Sequence, residues 1–330
     1  MKQGSATVQV EPFPLATPKV CPVQVGDAKP QFSTQITCRV DGVVRFRVFA
    51  QEKPEVGHAM ATARFLLRLY ELSSGALRLR LSPDSGGKVD VYLCQGGPSG
   101  GEQRLAGDFD DDGRPVTANV ILVYDVGSLT DKVEWLREIA HEFGHASLPA
   151  VGGYREPEDW ANGYLGEKLY LKMTQEKLRS GAWPSADLFG VEPASLDRWV
   201  SREVDPLVKE ANQVEPKPAS LKGTTAKAMR AYHARVLWAY ATFPRSIFAR
   251  SLVLGGTKST DYFGGLELAF GELERVDVRP AQPGPVWLPL GKGKLTSGKI
   301  LSRSGKWAKV QPGPKGIIAI PESPDGATTR

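Results

Sequence analysis

Residues 131–147, DKVEWLREIAHEFGHAS, decide how this chain is read. His141 and His145 stand four apart, and in a helix that spacing puts both imidazoles on one face, within reach of one zinc ion. Glu142 follows His141 directly and can take a proton from a water held there. The HExxH pattern is short, so its surroundings matter. Val133, Leu136, Ala140 and Phe143 recur at three- and four-residue intervals and give the helix an apolar stripe. Glu134, Glu138, His141 and His145 run beside it as a polar line. Ser128, with Asp131 three residues on, suits a helix start. Pro149, Gly152 and Gly153 limit the helix to about one turn beyond His145. Residues 118–126, ANVILVYDV, are β-branched and apolar and predict a strand just before it.

The chain holds four histidines: His58, His141, His145 and His233. Position 151, six past His145, is Val151, so the third metal ligand is expected to be a carboxylate. Residues 156–167, EPEDWANGYLGE, read as the opening of a second helix, with Pro157 at its first position and acids at the positive end of its dipole. A short connection predicts antiparallel helices. The first helix ends soon after His145, so the matching level on the second is its first turn, which favours Glu158. Glu167, two turns deeper, and then Asp159 are the alternatives. Asn162 is placed to accept a hydrogen bond from a ligand histidine and fix its tautomer. Glu138, on the polar line, is a further candidate for that supporting role. Gly163 and Gly166 share a side and allow the two helices to approach closely.

This helix pair resembles the gluzincin branch of the zincins, the HExxH zinc metallopeptidases, and is thermolysin-like in outline. The resemblance runs from about Leu129 to Met173. It implies His141, His145 and Glu158 as zinc ligands, Glu142 as general base, and a His or Tyr on a later helix as a donor to the oxyanion. His233 is the first candidate for that donor, with Tyr240 and Tyr232 behind it. The gap from His145 to Glu158 is shorter than usual for the group. Aligned on Trp160-Ala161-Asn162-Gly163, the segment is similar to the WLNE signature of aminopeptidase-type gluzincins, with Gly163 in the ligand's place. No GxMEN exopeptidase motif accompanies it.

Length and composition set the frame. A chain of 330 residues with 41% hydrophobic and 24% charged residues suits a folded protein with one large core or two modest ones. The net charge of +5 is spread along the chain, with no basic run interleaved with aromatics, so no nucleic-acid partner is expected. No stretch approaches the length of a membrane-spanning helix. Residues 1–20 as written lack the apolar core of a signal peptide, so a cytoplasmic protein and an exported one whose signal is missing are both open. Cys21 and Cys38 are candidates for a disulfide, with buried free thiols the plainer reading.

Along the chain, 1–35 reads as an irregular arm with one hairpin. Residues 35–51 alternate as a strand, with Val44, Phe46 and Val48 on one side. Residues 58–72 read as an amphipathic helix, with His58 a capping or surface residue, and 89–94 as another strand. The glycine-rich 96–101 reads as a flexible loop. The 118–126 strand is the candidate edge for pairing with an extended substrate. Asp108, Asp110, Asp112 and Gly113 resemble the first half of a calcium loop, but position 12 is Asn119. An acidic turn is therefore the expectation there and Ca2+ the alternative. Residues 224–243 read as a strong helix carrying Tyr232, His233 and Tyr240.

The expected fold is α+β and zincin-like: a mixed β-sheet over the HExxH helix, a second antiparallel ligand helix and a mainly helical C-terminal half. The catalytic domain would span 36–274, with sheet and HExxH helix in 36–175 and helices in 176–274, followed by a small β-rich segment at 275–330. The expected function is a zinc-dependent hydrolase with one zinc per chain, acting on a peptide or protein substrate. The alternatives are hydrolysis of a non-peptide amide, or a catalytically silent zincin-fold binding module.

Overall fold

The computed structural model describes residues 11–51, 56–81, 86–109, 113–280 and 283–322. It is an α+β chain that divides into two compact units. The first takes the described residues through Gly75, then Arg80–Leu148 and Gly163–Trp199. The second takes Ala76–Leu79, Pro149–Asn162 and the chain from Val200 onward.

The first unit is built on a six-stranded mixed sheet. Its strands are β1 (Glu11–Val20), β2 (Gln31–Val40), β3 (Val43–Ala50), β4 (Val89–Leu93), β5 (Gly100–Phe109) and β6 (Pro115–Tyr124), in the order β1-β2-β3-β4-β6-β5. The β3–β4 and β4–β6 pairs are parallel and the others antiparallel. Residues read from sequence as an arm followed by one strand thus form β1 and the hairpin β2–β3. The turn is Asp41-Gly42, with φ of 50° and 78°, the two-residue geometry that Asp-Gly favours because it matches strand twist. The 118–126 strand is also corrected in its role: β6 lies between β4 and β5, and among the described residues the edge strands are β1 and β5. The end of the glycine-rich segment supplies the start of β5 instead of a flexible loop.

The two faces of the sheet bury different things. Register places Phe46, Val48, Val89, Val91, Ile121 and Val123 on one face. There Phe46 meets Tyr70 of α1 (Val56–Tyr70) and Phe143 of α2 (Lys132–Ser147), with ring centroids 6.0 and 6.1 Å apart. On the other face Phe49 and Tyr92 stack at 4.7 Å amid Cys21, Phe32, Cys94, Val120, Leu122 and Tyr124. The sheet curls around this second cluster, so that Lys19 of one edge strand reaches Asp108 of the other at 2.7 Å. All five residues of β4 are buried, as a strand covered on both faces requires. Cys21 lies in the second cluster whereas Cys38 faces Ala63 of α1; all three cysteines are buried free thiols. Asp90, fully buried, is held by Arg47, with Nε to Oδ1 at 2.8 Å.

Helix α2 begins at Lys132, capped by Asp131, whose carboxylate accepts from Val133 N at 2.7 Å and Glu134 N at 3.1 Å. Ser128 is not the cap; its hydroxyl donates to the Asp125 carbonyl. Its apolar stripe is buried, and α3 (Asn162–Arg179) crosses it at a pair of glycines. A Cβ on Gly166 would stand 2.5 Å from Gly144 Cα and 2.8 Å from Ala140 O, so the two backbones touch.

After α4 (Pro193–Glu203), the second unit contains α5 (Asp205–Gln213), α6 (Ala226–Thr242), α7 (Arg245–Leu254) and α8 (Tyr262–Gly271). Two three-stranded sheets follow: β8 (Val286–Leu288), β10 (Lys299–Ser304) and β11 (Trp307–Gln311) in one, and β7 (Val276–Val278), β9 (Lys294–Ser297) and β12 (Ile317–Ile320) in the other. Gly298, with φ of 99°, passes the chain from β9 to β10 and so from one sheet to the other. Trp307 fastens this part to the helices, packing on Trp238 and Phe263 and donating its indole N–H to Glu267 at 2.9 Å. Buried Arg235 caps α5 by donating to the carbonyls of Ala211 and Val214. Among the described residues no helix is long and apolar enough to cross a membrane.

Candidate metal centre

Helix α2 presents His141 and His145 with ring centroids 5.1 Å apart. The first turn of α3 runs directly against them. A Cβ built on Gly163 would stand 2.2 Å from His145 Nε2 and 2.5 Å from His141 Nε2. Both Nε2 atoms therefore lie close against the Gly163 backbone, an approach that any side chain at residue 163 would block. The other ring nitrogen of His141, Nδ1, lies 3.5 Å from Glu167 Oε2. Tyr164 stands edge-on to the same imidazole, at 4.7 Å and 81°.

Among the described residues, the group of His, Cys, Asp and Glu side chains that brings three ligand atoms together is His141, His145 and Glu158, with those atoms all within 4.8 Å of one another. Two imidazole nitrogens and a carboxylate oxygen are a donor set that could hold a metal ion such as zinc. Tetrahedral bonds of about 2.0–2.2 Å place ligand atoms roughly 3.3–3.6 Å apart, inside that limit. Glu158 reaches this place from the connecting segment rather than from a helix, since α3 starts only at Asn162. The backbone of that segment is bonded to itself. Ala161 N donates to Val151 O at 2.9 Å, Tyr154 N donates to Asp159 O at 3.3 Å, and Gly152 bridges Trp160. The Trp160 ring fills the space where a Gly152 Cβ would be. Asp159 is exposed and outside the converging group, and Glu167 lies on the Nδ1 side of His141.

Three acids surround the histidines, all buried: Glu138, Glu142 and Glu167. Strand β5 passes directly over the first two. A Cβ on Gly101 would stand 2.9 Å from Glu138 Oε1 and 3.0 Å from Glu142 Cγ. Arg137 gathers the charges, 2.6 Å from Glu134, 3.4 Å from Glu138 and 3.1 Å from Glu167. Burial pushes the Glu138 carboxyl up, against the pull of Arg137. Burial also acts to raise Glu167, but His141, Lys168 and Arg137 outweigh it and bring that carboxyl down to about 2.

The other expected residues lie elsewhere. His233 of α6 is buried, with Nε2 2.9 Å from the Ala161 carbonyl oxygen. Tyr240 is a core side chain packed on Phe248, with Arg245 over its ring. Tyr232 is buried against Tyr262, and Asn162 is buried at the head of α3. His58 stacks on Trp135 at 4.7 Å. Of the acidic turn, Asp110 and Asp112 lie outside the described residues, and the Asp108 carboxylate receives Lys19. Gly101, expected in a loop, and Tyr164, expected on the apolar side of the second helix, both stand at the candidate site. A glycine inside a strand pattern signals close approach of another group, and the Gly100-Gly101 pair carried that signal.

Compared with protein-family models, curated proteins and solved structures, the chain matches none of them.

Proposed function

We propose that the chain is a zinc-dependent hydrolase of zincin type that cleaves peptide bonds. The observation that carries this reading is the convergence of His141, His145 and Glu158, with Glu142 buried between the two histidines in sequence and Gly163 packed against both imidazoles. His141 and His145 would hold the ion through Nε2 and Glu158 through a carboxylate oxygen. When bound, zinc would supply Lewis acidity, bringing the pKa of water down to about 7.

The chain's own groups do the rest. Glu142 takes a proton from water as its oxygen adds to the peptide carbonyl carbon. It then passes that proton to the nitrogen as the C–N bond breaks, so the products are a carboxylic acid and an amine. Glu167, facing Nδ1 of His141, accepts from that nitrogen and keeps Nε2 turned toward the site. Strand β5, an edge of the sheet among the described residues, offers its outer backbone groups to an extended substrate, and it passes over Glu142 at Gly101.

The test is the zinc content of purified protein after dialysis against a mild chelator, followed by a peptide-library digest. The expected result is one zinc per chain, lost in Glu158→Ala. Glu142→Gln should keep the zinc and lose about 100-fold or more of the cleavage rate. Zinc without cleavage of any peptide would move the reading to a silent module or another amide. Failure of the wild type to take up zinc would sink it altogether.

A further inference from the structure

His233 is a buried histidine that the chemistry above does not use. Its Nε2 lies 2.9 Å from the Ala161 carbonyl oxygen, and a carbonyl can only accept, so Nε2 carries the proton and donates. At 4% exposure the side chain is shut off from solvent, and water cannot readily stand in for this bond. Ala161 follows Glu158 by three residues and precedes Gly163 by two. On the other side of Glu158, also three residues away, Arg155 N donates to Thr224 O at 2.8 Å, just ahead of the Thr225 cap of α6. The segment carrying Glu158 is thus pinned at both shoulders to α6 and its entry. The two anchor points are nine residues apart in sequence, Thr224 ahead of the cap and His233 within the helix.

We propose that His233 is a positioning residue for the metal centre, fixing through Ala161 the segment that presents Glu158. This role rests on the zinc reading above. A carboxylate on a connecting segment lacks the rigidity that a helix gives His141 and His145, so its position must be set by whatever holds that segment. His233 holds it by a directed bond, and the direction of that bond distinguishes this role from simple filling of space.

The test compares two substitutions of similar bulk in the full chain. His233→Met fills the volume without an N–H donor, and His233→Gln returns a donor near the Nε2 position. Zinc affinity is read by competition with a chromophoric chelator, and hydrogen exchange of the 156–161 amides is followed in the metal-free protein. His233→Met is expected to weaken zinc binding about tenfold or more and to speed exchange in that segment, and His233→Gln to stay within about threefold of wild type. Ala239→Gly, which weakens the same helix away from that segment, should leave zinc affinity unchanged. Equal affinity in His233→Met and wild type would overturn the role, as would a Gln variant no better than Met. Should His233→Met fail to fold, nitrogen NMR of the wild type decides. A slowly exchanging proton on Nε2 with bare Nδ1 supports the bond, and the opposite tautomer refutes it. A wild type that binds no zinc removes the premise instead, and this role with it.

Discussion

Replacing Gly163 with alanine adds one methyl group where two imidazole nitrogens meet, 2.2 and 2.5 Å from the new carbon. A carbon and a nitrogen in ordinary contact stand about 3.5 Å apart, so each ring must retreat by roughly 1 Å. Zinc–ligand bonds tolerate only about 0.2 Å of departure from their preferred lengths. The histidines cannot satisfy both demands, and zinc affinity is expected to fall at least about 100-fold, or roughly 2.7 kcal/mol. The metal-free fold should hardly notice. Alanine favours a helix over glycine by up to about 1 kcal/mol, which offsets a similar cost for moving histidines off their rotamers. The apo melting temperature should therefore stay within about 3 °C of wild type. Chelator competition and calorimetry on the apo protein read the two quantities separately. Gly166→Ala supplies the contrast, because its methyl meets the backbone of Gly144 and Ala140 and has no flexible group to push aside. That variant should lose about 3 kcal/mol or more of stability. Zinc binding by Gly163→Ala within threefold of wild type would refute the geometry argued above.

Alkaline pH should destabilise the chain through buried groups of the sheet. Burial raises Cys38 from 9.0 to about 12 and pushes Tyr92 well above its ordinary 10.0. Both stay protonated in the native state after the unfolded chain has lost those protons, so stability is complete below about pH 9 and falls above it. The slope is up to about 1.4 kcal/mol per pH unit for each group, and a urea midpoint equal at pH 8 and 10.5 would contradict it. Asp90→Asn removes the carboxylate charge paired with Arg47 in a largely buried place and should lower stability by about 3 kcal/mol, measured by urea unfolding. Trp307→Ala removes the ring joining β11 to Trp238 and Phe263 and should cost about 3–5 kcal/mol by the same assay.

What could be read in the sequence was what depends on local spacing. The stripe of Val133, Leu136, Ala140 and Phe143 gave α2 its buried side, and the spacing of His141 and His145 gave the shared face. Glycines at 163 and 166 pointed to close helices because a missing side chain permits what any other residue forbids. The conformation of 149–161 was not legible. Pro157 and the acids around it fit a helix start, but backbone bonds between Val151 and Ala161 and between Tyr154 and Asp159 hold the segment as a folded loop. Such pairing depends on which strands of chain meet, and propensity carries no record of that. The place of β5 at the edge was hidden for the same reason, since strand order is a property of the whole sheet. Asp41-Gly42 was a turn signal in plain view that the alternating pattern around it masked.

The six-stranded sheet works on both sides. One face carries the helix with the histidines; the other curls around Phe49, Tyr92 and their neighbours, with Lys19 meeting Asp108 where the edges draw together. The curled core and the proposed chemistry are thereby lodged on opposite sides of a single layer of backbone. Substitutions in the curled core can accumulate and be selected for robustness without being seen by the histidines. Those on the helix face can alter the candidate site while the far core keeps the scaffold standing. A protein arranged this way can adapt to a hotter habitat and to a new substrate as two separate histories.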